Sequence, residues 1–360
     1  MSFTKFFNKK YLNIAPYDTA GEHLELERFI KLNTNESPFA PSPKAIEYAA
    51  RAAANLNLYS DPDCTQLVNK LAASLEVEPD NILCGNGSDE ILNFIFAAFC
   101  DETQGAAFPD ITYSFYKVLA EFHGVNYVTP GLDAEFKINL DDYIYNRRTS
   151  FIVNPNAPTG LLLSLDDIER VLSSNPDNVV AIDEAYIDFA DSGTSAVKLI
   201  NKYNNLIVVQ TFSKSRSLAG GRLGFAVAHA DLIRDLKAIK NSLAPYNINS
   251  MTQAAAIGAL EDKNYFDNNI NLIKEARAFT VESLKSLGFN MTNSQANFIF
   301  AGHEKISGQK LFDELRAKNI LVRHFAKPDR INNFIRVTIG SMSDMKIFVN
   351  AVQEILNKND

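Results

Sequence analysis

Leu206-Ile-Val-Val-Gln-Thr-Phe-Ser-Lys-Ser-Arg-Ser-Leu-Ala-Gly-Gly-Arg-Leu-Gly224 joins a short apolar run to a basic loop with paired glycines. Apolar residues in succession, without polar alternation, read as a strand buried on both faces, the kind found in parallel sheets. Runs of similar length predict further strands at 81–84, 105–108, 126–129, 150–153, 179–182 and 223–228. Between two of these lies Ser164-Leu-Asp-Asp167-Ile-Glu-Arg-Val-Leu. Ser164 with Asp167 resembles a capping box, so a helix begins there. Strand, helix, strand over about thirty residues is a βαβ unit and implies a parallel sheet.

The pattern changes after Ala244-Pro245. Ile273, Ala276, Thr280, Leu284 and Leu287 recur at helical steps and stop at Gly288, as in an amphipathic helix with a glycine cap. Strand-like 298–301, helix-like 308–318, then strand-like 320–324 and 334–339 follow. The reading is an arm at 1–30, a large α/β domain at 31–245 and a smaller α+β domain at 246–360.

A chain of 360 residues exceeds what one core usually supports, which agrees with two domains. Apolar residues are 46% and charged residues 22%, enough apolar surface to exclude a disordered chain. Lys plus Arg number 35 against 43 Asp plus Glu, a net charge of −8 that argues against a nucleic-acid partner. Cys64, Cys84 and Cys100 form no C-x-x-C pair and imply neither a disulfide framework nor a zinc knuckle. The five histidines are scattered without H-E-x-x-H spacing, so no metal site is expected. The first residues lack a signal-peptide pattern, and the longest apolar stretch, 91–100, is too short to cross a bilayer. A cytoplasmic protein without membrane contact is the expectation.

Four segments carry chemistry. Lys214 lies at the carboxyl end of a predicted strand, where open α/β sheets bind ligands. Low dielectric there would lower its pKa and make it a nucleophile. Arg222 offers a planar fork for a phosphate. Alone, this loop reads better as a solvated basic turn. Val179-Val-Ala-Ile-Asp183 ends a second strand in a carboxylate, which stays ionised in the interior only with a partner. A protonated pyridine nitrogen is one such partner; a helix cap is the alternative. Cys84-Gly-Asn-Gly-Ser88 runs into a helix whose first N–H groups can hold phosphate. Asp89 and Glu90 oppose a phosphate unless they point away. Gly85-x-Gly87 lacks the third glycine of a dinucleotide site. Val153-Asn-Pro-Asn-Ala-Pro-Thr-Gly160 is a rigid turn after a further strand.

Together with Leu32-Asn-Thr-Asn-Glu-Ser-Pro38, Tyr59-Ser-Asp-Pro62, Asp183-Glu-Ala-Tyr186 and Ile335-Arg-Val-Thr-Ile-Gly340, these segments resemble the fold-type I pyridoxal-phosphate enzymes, the class I and II aminotransferases. The resemblance spans nearly the whole chain. It implies an aspartate aminotransferase-like fold, with a mostly parallel sheet of about seven strands between helices. Within the family, the branch acting on L-histidinol phosphate and 2-oxoglutarate is most similar. Aromatic amino acid aminotransferases and a threonine-phosphate decarboxylase share the scaffold.

The resemblance implies pyridoxal 5'-phosphate as cofactor, held covalently by Lys214, which would also shuttle the proton. Asp183 would pair with the ring nitrogen and Tyr186 would bond the ring O3′. Arg222, Ser213, Gly87 and Ser88 would hold the cofactor phosphate. Tyr113 would stack on the ring; a core aromatic is the equal alternative. Arg336 would clamp an α-carboxylate and Arg323 the substrate phosphate, with Tyr17 lining the substrate pocket. Tyr59 would reach the cofactor phosphate of a second copy, making a homodimer with shared sites; a surface tyrosine in a turn is the alternative. Relatives often carry Asn where Ala157 stands here, so the O3′ contact falls either to Asn156 or to Tyr186 alone.

Overall fold

The computed structural model describes residues 4–12, 14–15 and 28–359. Strand β1 (Ile30–Lys31) precedes helices α1 (Pro43–Ala53) and α2 (Thr65–Leu75). Strand β2 (Ile82–Gly85) runs into α3 (Ser88–Phe99), and β3 (Ala106–Ala107) is followed by α4 (Phe115–His123). After β4 (Tyr127–Val128) come β5 (Thr149–Val153), α5 (Leu165–Ser174), β6 (Val180–Asp183), β7 (Leu206–Thr211) and β8 (Gly224–Ala228). Helices α6 (Ala230–Leu243), α7 (Ser250–Glu261) and α8 (Lys263–Ser286) follow.

The seven predicted apolar runs form one sheet in the order β2-β8-β7-β6-β5-β3-β4. It is parallel from β7 through β4. Each buried run alternates its side chains between two cores, which is why polar alternation is missing from the sequence. Phe151, Val153, Ala181, Ile207 and Val209 enter one cluster. Ile152, Val180, Ile182, Leu206 and Val208 enter the other. Burying each large aliphatic side chain contributes about 1.5–3 kcal/mol. Ser164 caps α5 as expected, its hydroxyl accepting from the Asp167 amide.

Strand β8 is antiparallel to both of its neighbours, so the seven-stranded sheet is mostly parallel, as expected. The reversal has a functional result. A reversed strand starts where its neighbours end, and Gly224 pairs with both Thr211 and Gly85. Residues just before β8 therefore arrive at the edge where β2, β6 and β7 deliver theirs.

Helix α7 lies on α1 and α2, and its Ala255, Ala256 and Ala259 share a core with Ala45, Leu67 and Leu71. Beyond α8, strands β9 (Phe289–Met291) and β10 (Phe298–His303) are followed by α9 (Gly308–Ala317), β11 (Ile320–Leu321), β12 (Arg323–His324), β13 (Phe334–Thr338) and α10 (Met342–Asn359). Four of these strands make an antiparallel sheet in the order β12-β13-β10-β9, while β11 pairs in parallel with β1. No helix among the described residues is long and apolar enough to cross a membrane.

Candidate active site

A cavity of about 260 Å³ opens at the carboxyl ends of β5, β6 and β7, and Val153, Asp183 and Thr211 form part of its wall. Further wall comes from the 33–35 segment, the start of α3, the turn before α4, the loops that follow β5, β6 and β7, and the small antiparallel sheet.

Asp183 is buried as the last residue of β6. Burial pushes its carboxyl up to about 6, against the pull of two donors. The Tyr116 hydroxyl donates to Oδ2 at 2.8 Å and the Ala185 amide to Oδ1 at 3.1 Å. Glu184, next in the chain, turns into the interior. It accepts from Ser195 Oγ, the Ala196 amide and Gln210 Nε2, and burial pushes it to about 7.

Lys214 follows β7 by three residues and donates from Nζ to the Thr34 carbonyl at 3.0 Å. Loss of water around its ammonium, reinforced by the nearby Arg336 charge, pushes it down to about 8. Its Nζ lies 5.9 Å from the Tyr186 ring centre.

The loop from β2 into α3 makes a tight cradle. Gly87 has φ +82, and a Cβ there would stand 2.6 Å from Arg222 Nη2. A Cβ on Gly224 would stand 2.3 Å from the Ser88 nitrogen. Only glycine permits this approach of backbone to backbone. Ser88 opens α3, whose first amides have no partner within the helix and suit an anion. Arg222 donates to Asp89 Oδ2 at 2.9 Å, and Tyr113 donates to Asp89 Oδ1 at 2.8 Å. Asp89 thus fixes two cavity-lining side chains. Glu90 turns the other way, accepting from the Asn86 amide and Asn247. Ser213 accepts from Thr211 Oγ1 at 3.0 Å.

Asn35 holds the opposite wall together. Its side chain donates to the Tyr186 hydroxyl at 3.1 Å and accepts from Thr338 Oγ1 at 3.1 Å. Its carbonyl accepts from Asn297. Arg336 donates to the Asn33 carbonyl at 2.9 Å. The Arg323 and Arg336 guanidiniums lie 5.7 and 5.8 Å from the Phe325 ring centre.

The structure therefore brings Ser88, Tyr113, Asp183, Tyr186, Ser213, Lys214, Arg222, Arg323 and Arg336 to one cavity. Gly87 sits against Arg222 at its rim. Asn156 is not part of the wall: it is buried, bonding Ile111, Thr159 and Thr112, and Ala157 and Pro158 face the cavity instead. Tyr59 is 85% exposed, stacked on Tyr246 with ring centres 4.6 Å apart. Tyr17 lies outside the described residues. The sequence reading gave no role to Tyr116, Thr34, Asn35 or Phe325. Tyr113 precedes α4 and Tyr116 lies within it, so their three-residue spacing carried no helical signal.

Residues 27–352 match the family described as aminotransferase class I and II. The histidinol-phosphate aminotransferase of Brachyspira hyodysenteriae is 47% identical over 356 residues, covering 98% of this chain and 99% of the relative. The crystal structure of the histidinol-phosphate aminotransferase from Clostridium acetobutylicum is 27% identical with a TM-score of 0.85, covering 91% of this chain and 99% of that one. The Sinorhizobium meliloti enzyme, solved in complex with pyridoxal-5'-phosphate, is alike in fold, with a TM-score of 0.89 at 22% identity and 99% coverage of both chains. A match over nearly all of the sequence, on a sheet whose ends gather a lysine, a carboxylate and an anion cradle, makes this chain a member of the class I and II aminotransferases.

Proposed function

We propose that this aminotransferase moves the amino group of L-histidinol phosphate to 2-oxoglutarate, with pyridoxal 5'-phosphate as cofactor. The observation that carries the reading is the cavity with Lys214 and Asp183 on the large sheet and two arginines facing them from the small one. The cofactor's chemistry fits this donor set. Ser88, Ser213 and Arg222 would hold its phosphate, Asp183 its ring nitrogen, Tyr186 its phenolic oxygen and Tyr113 its ring face. Bound there, the cofactor supplies an electron sink for the carbon that loses its proton.

The protein's own groups do the rest. Lys214 Nζ, lowered by its surroundings to about 8 and so neutral in part near physiological pH, would attach the cofactor and move the proton at the reacting carbon. The Asp183 carboxylate keeps a proton on the ring nitrogen. Tyr186 is steered by Asn35. Asn156 is committed to its own turn, which leaves the phenolic oxygen to Tyr186. Histidinol phosphate has no carboxylate, so the arginines divide their work. Arg323 takes the donor's phosphate, and Arg336 takes the α-carboxylate of the oxo acid and of the glutamate formed.

A donor panel tests this division. Arg323→Ala should lower kcat/KM for histidinol phosphate by about ten- to a hundredfold, as loss of a contact worth roughly 1.5–3 kcal/mol implies. A phosphate-free aromatic donor should lose far less. Equal losses on both donors would move the assignment to an aromatic amino acid aminotransferase.

The same proposal includes a homodimer. Tyr59 and Tyr246 lie in the open with Leu56, Leu58 and Leu243, an apolar surface that suits a partner. In a two-fold dimer Tyr59 would reach the other copy's cofactor phosphate. Mixing Tyr59→Phe chains with Lys214→Ala chains should restore up to about half of wild-type activity per heterodimer, since one of its two sites is then intact. Tyr59→Phe must itself be impaired and subunits must exchange. No recovery above the parents would return Tyr59 to its own chain. We place the enzyme in the cytoplasm, where Cys64, Cys84 and Cys100, all unpaired, stay reduced.

A further inference from the structure

Tyr116 sits behind the cavity rather than in its wall. It is fully buried on α4, with its ring among Phe108, Tyr113 and Phe151. Phenylalanine would fill that space equally well. A hydroxyl in such a place costs free energy unless it has a partner, and its bond runs to Asp183 Oδ2 at 2.8 Å.

We infer that Tyr116 is a positioning residue for Asp183: its hydroxyl fixes the orientation of the carboxylate and favours the ionised form that the cofactor's ring nitrogen requires. This assignment rests on the cofactor reading above. The geometry is one-sided in a useful way. Burial and the Asp183 charge push the Tyr116 hydroxyl well above its ordinary value, so it remains a donor throughout the working range. Each carboxylate oxygen accepts one bond from the protein, from Tyr116 and from the Ala185 amide, and keeps a lone pair for a further donor. The other charges acting on Asp183 are Asp89 on α3, which opposes ionisation, and Lys214 beyond β7, which favours it. Tyr113 and Tyr186 act electrostatically on the Tyr116 hydroxyl in turn. Tyr116 donates a side-chain hydrogen bond to the carboxylate.

The holoenzyme of Tyr116→Phe tests the inference. Losing one bond to a charged group should lower kcat about tenfold and move the acid limb of its pH profile up by about one unit. KM for the amino donor should change less than about twofold, because the lost bond touches no substrate. A second readout needs no turnover. With aspartate carrying ¹³C in its carboxyl, the Asp183 resonance is identified by its loss in Asp183→Asn. It should titrate about one pH unit higher in the folded Tyr116→Phe protein. An unmoved resonance together with an unmoved limb would overturn the assignment. If removing the hydroxyl prevents folding, 3-fluorotyrosine at position 116 keeps the ring and strengthens the donor. It should move limb and resonance the opposite way, and no movement would be equally decisive. Failure of the wild-type chain to bind cofactor would instead sink the function proposed above. The carbon titration would then still judge the Tyr116–Asp183 contact.

Discussion

Lys214→Ala is expected to lower turnover by about 10⁴-fold, the upper range for loss of a positioned proton-transfer group. The protein should stay folded, because the side chain makes one polar contact, to the Thr34 carbonyl, and lines an open cavity. Purified Lys214→Ala enzyme should also lose the cofactor's visible absorption band that depends on attachment to the lysine. Lys214→Arg should not restore either property, since a guanidinium stays protonated and cannot serve as nucleophile. The position of Lys214 near pH 8 gives a direction as well. Capture of added cofactor by the apoenzyme should accelerate as pH rises through about 8, well below the ordinary lysine range. Retained turnover near the wild-type level would remove Lys214 from the chemistry.

Asp183→Ala is expected to lower kcat by roughly 10²–10³-fold, the scale measured for loss of a preorganised group aimed at developing charge. This variant also leaves the Tyr116 hydroxyl buried without its acceptor, at a cost of about 1–3 kcal/mol of stability. Asp183→Asn separates the two effects. It keeps an oxygen for Tyr116 but removes the charge, so its melting temperature should lie nearer the wild type while its kcat falls almost as far. Bound cofactor should persist in part in both variants, because the residues proposed to hold its phosphate, Ser88, Ser213 and Arg222, are untouched. Unchanged kcat in Asp183→Asn would make the carboxylate a structural group.

The central sheet was legible because all of its strands but the edge strand β4 are buried on both faces, and burial leaves no choice but continuous apolar residues. Chain direction was not: 223–228 looks like its neighbours, and only the register shows β8 running against them. Side-chain direction was equally hidden. Asp89 and Glu90 are adjacent acids in one motif, yet the first faces Arg222 and Tyr113 while the second caps the Asn86 amide. A one-residue step around a helix turns a side chain by about 100°, and no composition rule says which of two acids looks inward. Asn156 illustrates the same limit, since its amide satisfies a turn that the sequence shows only as a proline-rich loop. Tyr116 was invisible for another reason. Its ring belongs to the core and its oxygen to the site, and an apolar helix face advertises only the ring.

The tie between Asn33 and Arg336, and that between Asn35 and Thr338, each join residues 303 positions apart. A ribosome releases the chain in order, at about 5–20 residues per second. Asn33 and Asn35 therefore leave the exit tunnel 303 residues ahead of the partners that hold them against the cavity. The large sheet can assemble during translation, since β2 to β8 are complete by Ala228. The wall that meets Lys214 and Tyr186 cannot. A stalled or truncated nascent chain ending before β13 thus carries a sheet with an unfinished pocket, and competence to bind and react arrives only once β13 has emerged.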